Sequence, residues 1–216
     1  YASFISSGGK KSNAKKHNSV SKQCLISTSE KDNEISVLSI FAIPILHITL
    51  GVVNKTFAEL EKKIPCAAEW PASLHLHKES YHGQCYEGNE CSKMLSNTHL
   101  LYEILASSNA LPQGMPFIRV FETYSSVNQL FHEDQVDIRD LEAAVFSFRE
   151  AWKESQMSLT TKVHIVICHL VDFVKMKGGK NMRLYSEQSH ESAHVEFIKT
   201  WSKYRVKESS NPNYKK

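Results

Sequence analysis

Apolar residues recur at helical spacing over most of this chain, and no other feature constrains its fold as strongly. The clearest run lies between Phe117 and Phe131, with Val120, Tyr124 and Val127 on the same expected face. Alternation of apolar and polar residues with a period of two, the pattern of a half-buried strand, is rare. The sequence therefore predicts a mainly α-helical, multi-helix bundle-like domain with few strands.

Composition and helical patterning divide the chain into an N-terminal arm, two helical regions and a C-terminal tail. Residues 1–34 are rich in Ser, Lys and Asn and poor in apolar residues, so they are expected to form a flexible N-terminal arm. We expect a helical domain over residues 35–160 and a C-terminal helical pair over residues 161–207. The last helix of that pair is expected at about residues 186–206, followed by a tail at 208–216.

The apolar run at residues 35–53 has the length of a membrane span. Pro44 and His47 interrupt it, however, and it lacks flanking anchor residues. We therefore predict a buried segment that breaks at Pro44, then a helix that begins after Gly51 and stops at Pro65. No membrane partner is expected.

Turn and cap residues predict further boundaries. The run Leu-Pro-Gln-Gly-Met-Pro at 111–116 predicts a turn, because proline and glycine both punctuate helices. Thr160 or Thr161 is expected to cap a helix over 162–176, which the glycines at 178–179 would end.

Histidines and cysteines are further side chains that could carry chemistry. His47, His164 and His169 lie among apolar residues, where a hydrogen-bonded core histidine is the expected role. The five cysteines have irregular spacings and include no C-x-x-C pair. Reduced thiols in an intracellular protein are therefore expected.

The net charge of +3 and pI near 8.5 do not by themselves indicate nucleic-acid binding. The basic residues nevertheless cluster towards the C-terminal end. The candidate DNA contacts are Lys175, Lys177, Lys180, Arg183, Lys199, Lys203, Arg205 and Lys207. Solvated loop and tail residues and a phosphate-contacting surface are both compatible with these clusters.

One short motif suggests metal chemistry. His190-Glu191-Ser192-Ala193-His194 matches the H-E-x-x-H pattern of zinc peptidases. The expected continuation with a third ligand is missing, and Glu196 falls off the metal-facing side of the helix. No tight zinc site is expected.

The same expected helix supports a second interpretation. Glu187, Glu191 and His194 are spaced so that they share one helix face. With a third acidic ligand from elsewhere, such a face could hold Mg²⁺. An exposed face with ordinary Glu–His contacts is the alternative.

Three stretches in series carry a resemblance. They read Ile-Leu-His-Ile-Thr-Leu-Gly-Val-Val-Asn-Lys at 45–55 and Tyr-His-Gly-Gln-Cys-Tyr-Glu-Gly-Asn-Glu-Cys-Ser-Lys-Met-Leu at 81–95. The third reads Lys-Val-His-Ile-Val at 162–166, then Leu-Tyr-Ser-Glu-Gln-Ser-His-Glu-Ser-Ala-His-Val-Glu-Phe at 184–197 and Trp-Ser-Lys-Tyr-Arg-Val at 201–206. Together they resemble the C-terminal part of RNase H-like transposases encoded by animal DNA transposons.

The resemblance implies an Asp-Asp-Glu site in which Glu191, or Glu187 beside it, is the third acidic residue. The family pattern Ser-Glu-Gln-x-x-Glu-x-x-His usually has a small residue at the position of His190, which makes the zinc-peptidase match accidental. Mg²⁺ or Mn²⁺ is implied only for a complete transposase, with Glu191 and His194 as candidate ligands. Asn54, near an expected helix start, would have a structural role.

The resemblance also implies upstream parts that this sequence lacks. Family members carry two aspartates on RNase H-like strands and a Cys-x-x-Cys pair before these stretches. The chain begins with Tyr1, so we interpret it as a fragment or relic that is inactive alone and needs no cofactor. Weak, non-specific DNA association in the nucleus would follow. Residues 35–160 would then be insertion-like, with Gly88 in a tight turn and Asn89 as a helix cap.

Two alternatives stay open. A non-catalytic helical module that binds protein or DNA would have the same helical pattern, and a zinc peptidase is the third possibility. The sequence leaves the oligomeric state and the DNA target open.

Overall fold

The computed structural model describes residues 43–78 and 85–180, together with Met182, Phe197 and Thr200. These residues form eight α-helices and one 3₁₀-helix and contain no β-strand, which confirms the predicted mainly α-helical, bundle-like fold. The helices are α1 (Ile45–Lys63), the 3₁₀-helix (Pro65–Ala68), α2 (Glu69–Ser73), α3 (Gly88–Ser96), α4 (Thr98–Ser107), α5 (Leu111–Leu130), α6 (Ile138–Glu154), α7 (Thr161–Cys168) and α8 (Leu170–Met176).

Several predicted segments lie outside the described residues. They are the N-terminal arm at 1–34, the last helix at 186–206 apart from Phe197 and Thr200, and the tail at 208–216. None of the helices within the described ranges has the length and apolar character needed to cross a bilayer.

Helix α1 begins earlier than the sequence predicts. Pro44 precedes its first residue, Ile45, and the carbonyl of Pro44 accepts the first helical hydrogen bond from Ile48 N at 2.9 Å. Proline suits this place because its fixed φ and missing N–H cost nothing at a helix start. The predicted start after Gly51 was therefore wrong, and Gly51 lies inside the helix. The predicted stop at Pro65 is confirmed, since the helix ends at Lys63.

Helix α3 begins at Gly88, and its cap differs from the predicted one. Glu87, not Asn89, is the N-cap. The Glu87 side chain accepts from the backbone of Glu90, and the Glu90 carboxylate accepts from Glu87 N at 3.0 Å. This reciprocal pair is a capping box, here with glutamate at the cap position. Asn97 then separates α3 from α4.

The segment at 111–116 is helical, so the predicted turn was wrong. Pro112 lies in the first turn of α5, where no donor is needed. Gly114 N already donates to Ala110 O at 3.1 Å, so the helix is formed before Pro116. Pro116 removes one hydrogen bond close to the helix start, and the packing of the following residues outweighs that loss.

The predicted apolar face of α5 forms the centre of the core. Phe117, Val120, Phe121, Tyr124 and Val127 are buried. Burial of each such side chain contributes roughly 1.5–3 kcal/mol, which explains why this pattern predicted the helix correctly.

Trp70 on the short helix α2 contacts both α5 and α1. Its ring lies 5.0 Å from that of Phe121 and 6.1 Å from that of Phe57, measured between centroids. Its indole Nε1 donates to Asn97 O at 3.0 Å, which ties α2 to the break between α3 and α4. A large buried aromatic with a satisfied donor thus connects four elements of the bundle.

Helix α6 follows α5 and makes its most extensive contact with it. Asp137 caps α6 by accepting from Arg139 N at 2.8 Å. Leu141, Phe148 and Trp152 are buried on one face of α6.

The predicted helix over 162–176 is two helices, α7 and α8, separated at His169. Thr160 caps α7 by accepting from Val163 N at 3.3 Å, and Gly178 and Gly179 end α8 with φ of 69° and 71°. Such positive φ values favour glycine because a Cβ would clash with the backbone.

Candidate nucleic-acid interface

Three of the predicted DNA-contact lysines lie in the described part of the chain, at the C-terminal end of α8 and just beyond it. Lys175 Nζ lies 2.6 Å from Glu142 Oε1 on α6, and both side chains are about half exposed. The hydrogen bond to the Glu142 carboxylate raises the pKa of Lys175 above its ordinary value. In this arrangement Glu142 competes with any phosphate for the Lys175 ammonium.

Residues 177–180, here called the lysine turn, have a fixed backbone. Val136 N donates to Gly179 O at 2.8 Å, and Gln135 Nε2 donates to Gly178 O at 3.0 Å. An isolated β-bridge joins Gln135 to Lys180. These contacts hold the two lysines of the turn on a backbone that is bound to the segment before α6.

The two lysines of the turn differ in their surroundings. The Lys177 ammonium lies 5.4 Å from the centroid of the Phe173 ring, a cation–π distance. Lys180 is exposed to solvent. An exposed ammonium on a fixed turn can reach a phosphate at little cost in chain entropy.

The other predicted site residues lie outside the described residues. They are the DNA-contact candidates Arg183, Lys199, Lys203, Arg205 and Lys207 and the candidate catalytic or metal residues Glu187, Glu191 and His194. Their predicted roles stay predictions. In the described ranges, no group of three or more His, Cys, Asp or Glu side chains is placed to hold a metal ion.

The first two stretches that carry the family resemblance contact each other directly. Asn54, in the middle of α1, accepts from Tyr86 N at 2.8 Å through Oδ1 and donates to Tyr86 O at 2.9 Å through Nδ2. Its Nδ2 also lies 3.0 Å from Leu50 O and 3.6 Å from Cys91 Sγ. We call this arrangement the Asn54 clamp. It binds the backbone before α3 to α1.

Two of these residues have structural positions other than the predicted ones. Asn54 was expected near a helix start but lies well inside α1. Gly88 was expected in a tight turn but is the first residue of α3, and a Cβ there would lie 2.7 Å from Leu46 Cδ1. Close approach to α1, rather than a positive φ, therefore favours glycine at this position.

The third stretch also reaches α1. A Cβ at Gly51 would overlap the Lys162 side chain, so the glycine leaves room for α7 to pass close by. Helix α1 packs against both α3 and α7. The described parts of all three stretches therefore meet on one helix.

The predicted core histidines are at the surface or only partly covered. His47 and His164 are exposed, and His169 is half-buried. The prediction was wrong because helical periodicity places each of them beside, rather than within, the buried stripe. His164 Nε2 and His169 Nε2 lie 3.2 Å apart across the break between α7 and α8. In this contact one ring nitrogen donates and the other accepts, and the tautomers of the two rings decide which does which.

The described cysteines are free thiols with different environments. Cys168 is exposed, whereas Cys91 is buried beside the Asn54 clamp. Burial raises the pKa of the Cys91 thiol to about 12, so it stays protonated and unreactive at neutral pH. Cys91 therefore has a packing role.

Sequence inspection missed Glu142 and Gln135, which pair with the lysine region. Their partners are 33 and 43 residues away, and neither residue belongs to a recognisable local motif. No signal short of the fold itself would have brought them to the site.

Comparison of the chain with protein-family models, with curated proteins and with solved structures finds no match.

Proposed function

We propose that the chain is a helical part, or relic, of a transposon-derived RNase H-like transposase that associates with DNA through backbone phosphates. The observation that carries the proposal is the meeting of the three resembling stretches on α1. Asn54 joins the first stretch to the second, and Gly51 admits Lys162 from the third. Residues that match a family pattern and also pack together support a shared fold rather than chance similarity.

The proposed contact with DNA is supplied by the lysine turn and Lys175 together with the predicted contacts Arg183, Lys199, Lys203, Arg205 and Lys207. Phosphate contacts by lysine are electrostatic and carry no sequence information. We therefore expect non-specific, salt-sensitive binding, and a nuclear location for the protein. In this proposal Glu191, or Glu187, is the third acidic residue of a site that an upstream region would complete with Mg²⁺ or Mn²⁺.

The test is a titration of the chain with fluorescent duplex DNA of arbitrary sequence at several salt concentrations. Four or five phosphate contacts should give a log–log salt slope of about −4. The isolated chain should give no cleavage product with Mg²⁺ or Mn²⁺, because Glu187 and Glu191 come from one expected helix and a two-metal site needs carboxylates from several elements. Absence of binding at low salt would refute the proposed association with DNA.

One substitution tests the location of the interface. Glu142→Gln removes the carboxylate that holds Lys175 at 2.6 Å and should free the ammonium for a phosphate. One added contact should steepen the salt slope by about 0.9 and tighten binding about eightfold at about 0.1 M salt.

The matched control is Glu59→Gln, which removes a carboxylate paired with Lys55 at 2.8 Å on α1. It makes the same change in net charge away from the lysine turn, so the slope should not change. Equal effects of the two substitutions would mean that net charge, rather than this interface, governs binding.

A further inference from the structure

A cleft of about 400 Å³ lies between the end of α6, the connection after it and the second half of α7. Trp152, Leu159 and Ile167 give it apolar walls, and the polar side chains around it include Arg149 and His164. Its size is within the range of pockets that bind small molecules or single peptide side chains. Among the described residues, the lysines proposed to contact DNA are not part of its lining.

The charge at the cleft is not balanced. Lys153, on its edge, pairs with Glu150 at 2.7 Å, so those two charges offset each other. Arg149 makes no ion pair with any residue in the described part of the chain. Its exposed guanidinium is therefore available to an anionic group at the edge of an apolar cavity.

The apolar surface continues beyond the cavity. Leu159 is 60% exposed, and Phe146 on α6 is 62% exposed. Phe146 precedes Arg149 by three residues, so the two side chains share a helix face. Large exposed apolar side chains that adjoin a cavity and an unpaired cation are typical of protein-interaction sites.

Trp152 adds a second unusual feature to the cleft wall. Its indole N–H is the one buried side-chain polar group in the described residues without a hydrogen-bond partner. Folded proteins rarely keep a buried donor unpaired, and this one belongs to a side chain that forms part of the cleft wall.

We propose that this cleft is the docking site of an acidic peptide segment of another protein. An apolar side chain of the peptide fills the cavity against Trp152 and Ile167, and a neighbouring carboxylate pairs with Arg149. The walls are too apolar for a nucleic-acid backbone, and the exposed surface of Phe146 and Leu159 exceeds what a small molecule in the cavity would cover. This site is independent of the lysine turn and of the proposed association with DNA.

The test uses a fluorescent short peptide in which Leu-Phe is flanked by glutamates, and an otherwise identical peptide with glutamines. The glutamate peptide should bind more tightly than the glutamine peptide at low salt. Arg149→Gln should weaken binding of the glutamate peptide about three- to fivefold, the range for an exposed charge pair. Leu159→Ser should weaken binding of both peptides about tenfold because it removes the apolar wall.

Two control substitutions each remove an exposed cationic or aromatic side chain outside the cleft. Arg139→Gln removes an exposed cation at the other end of α6, and Tyr102→Ser removes a side chain that is 46% exposed on α4. Neither should change the affinity. The indole N–H resonance of Trp152, assigned with Trp152→Phe, should shift on titration with the glutamate peptide.

Three results would overturn the proposal. The first is no measurable binding of the glutamate peptide at low salt. The second is binding that Arg149→Gln and Leu159→Ser leave unchanged. In the third, octanoate binds as tightly as the peptide and shifts the same Trp152 resonance, which would assign the cleft to a small amphipathic carboxylate instead.

Discussion

Asn54→Asp replaces the donor side of the Asn54 clamp by an oxygen while it keeps the size and shape of the side chain. In the native clamp, Tyr86 N can only donate and Tyr86 O can only accept, so the hydrogen-bonding chemistry fixes which end of the amide faces which atom. The aspartate keeps the acceptor for Tyr86 N. Its second carboxylate oxygen meets the carbonyl oxygens of Tyr86 and Leu50, which lie 2.9 and 3.0 Å from Nδ2 in the native protein.

The expected loss of stability follows from these contacts. Two donated hydrogen bonds are lost, each with a net value of about 0.5–1.5 kcal/mol, and two carbonyl groups face a like-signed oxygen. A half-buried carboxylate without a cation adds a desolvation cost. We expect Asn54→Asp to lower the free energy of unfolding by about 3 kcal/mol at about pH 7.

The loss should depend on pH in a defined direction. The facing carbonyls disfavour the charged form, so the folded-state pKa of the new carboxyl should lie above its unfolded value of about 3.9. The group's contribution to stability is then fully present below about pH 4 and is lost as pH rises through the folded-state pKa. Because the neutral acid can donate its O–H to a carbonyl, the deficit relative to the native protein should shrink to about 1 kcal/mol near about pH 3.5.

Urea unfolding followed by far-UV circular dichroism measures both proteins at each pH. Asn128→Asp is the matched control, because Asn128 Oδ1 accepts from Thr49 Oγ1 at 3.2 Å and an aspartate keeps that acceptor. The control should lose less than about 0.5 kcal/mol at any pH. A deficit for Asn54→Asp that is equally small, or one that does not change between about pH 3.5 and 7, would refute the clamp as a stabilising contact.

Two further predictions concern the core. Gly114→Ala should lower the free energy of unfolding, measured by urea unfolding, by about 1–3 kcal/mol. The new Cβ would overlap the buried Leu105 side chain, and this cost outweighs the gain in helix propensity. A variant more stable than the native protein would contradict this packing. Burial raises the pKa of the Cys91 thiol from its ordinary value of 9.0 to about 12, so its contribution to stability is complete below about pH 9 and is lost as pH rises towards about pH 12. Urea midpoints should therefore fall above about pH 9, and Cys91→Ala should flatten that fall; identical pH profiles for the two proteins would count against it.

The spacing of apolar residues correctly predicted the helix with a long apolar stripe. The rules that place helix boundaries at proline and glycine gave wrong boundaries where helices pack closely. The stripe from Phe117 to Phe131 is buried as expected, because burial of large side chains dominates helix placement. The sequence predicts Pro116 in a turn and Gly51 just before a helix, yet both lie inside helices. Local rules fail there because tertiary contacts decide the outcome, as Gly51 beside Lys162 illustrates.

Only part of the candidate interaction sites could be predicted from the sequence. The lysines at 175–180 were found by their clustering, but the ion pair of Lys175 with Glu142 depends on the packing of α8 against α6. The cleft beside Arg149 was not anticipated, because its walls come from α6, α7 and the connection between them. A site assembled from separate elements leaves no contiguous pattern for sequence inspection to detect.

The positions of the motif residues bear on what the family resemblance can mean. Asn54 and Gly88 are polar or small residues that would draw attention as candidates for chemistry, yet both serve contacts between α1 and the segment around α3. Such residues constrain a fold whether or not a catalytic site is attached to it. In the proposed transposase part, these contacts would hold the helices together without any metal-bound site. The cleft beside Arg149 is built on α6 and α7, so its proposed role likewise requires no metal-dependent activity.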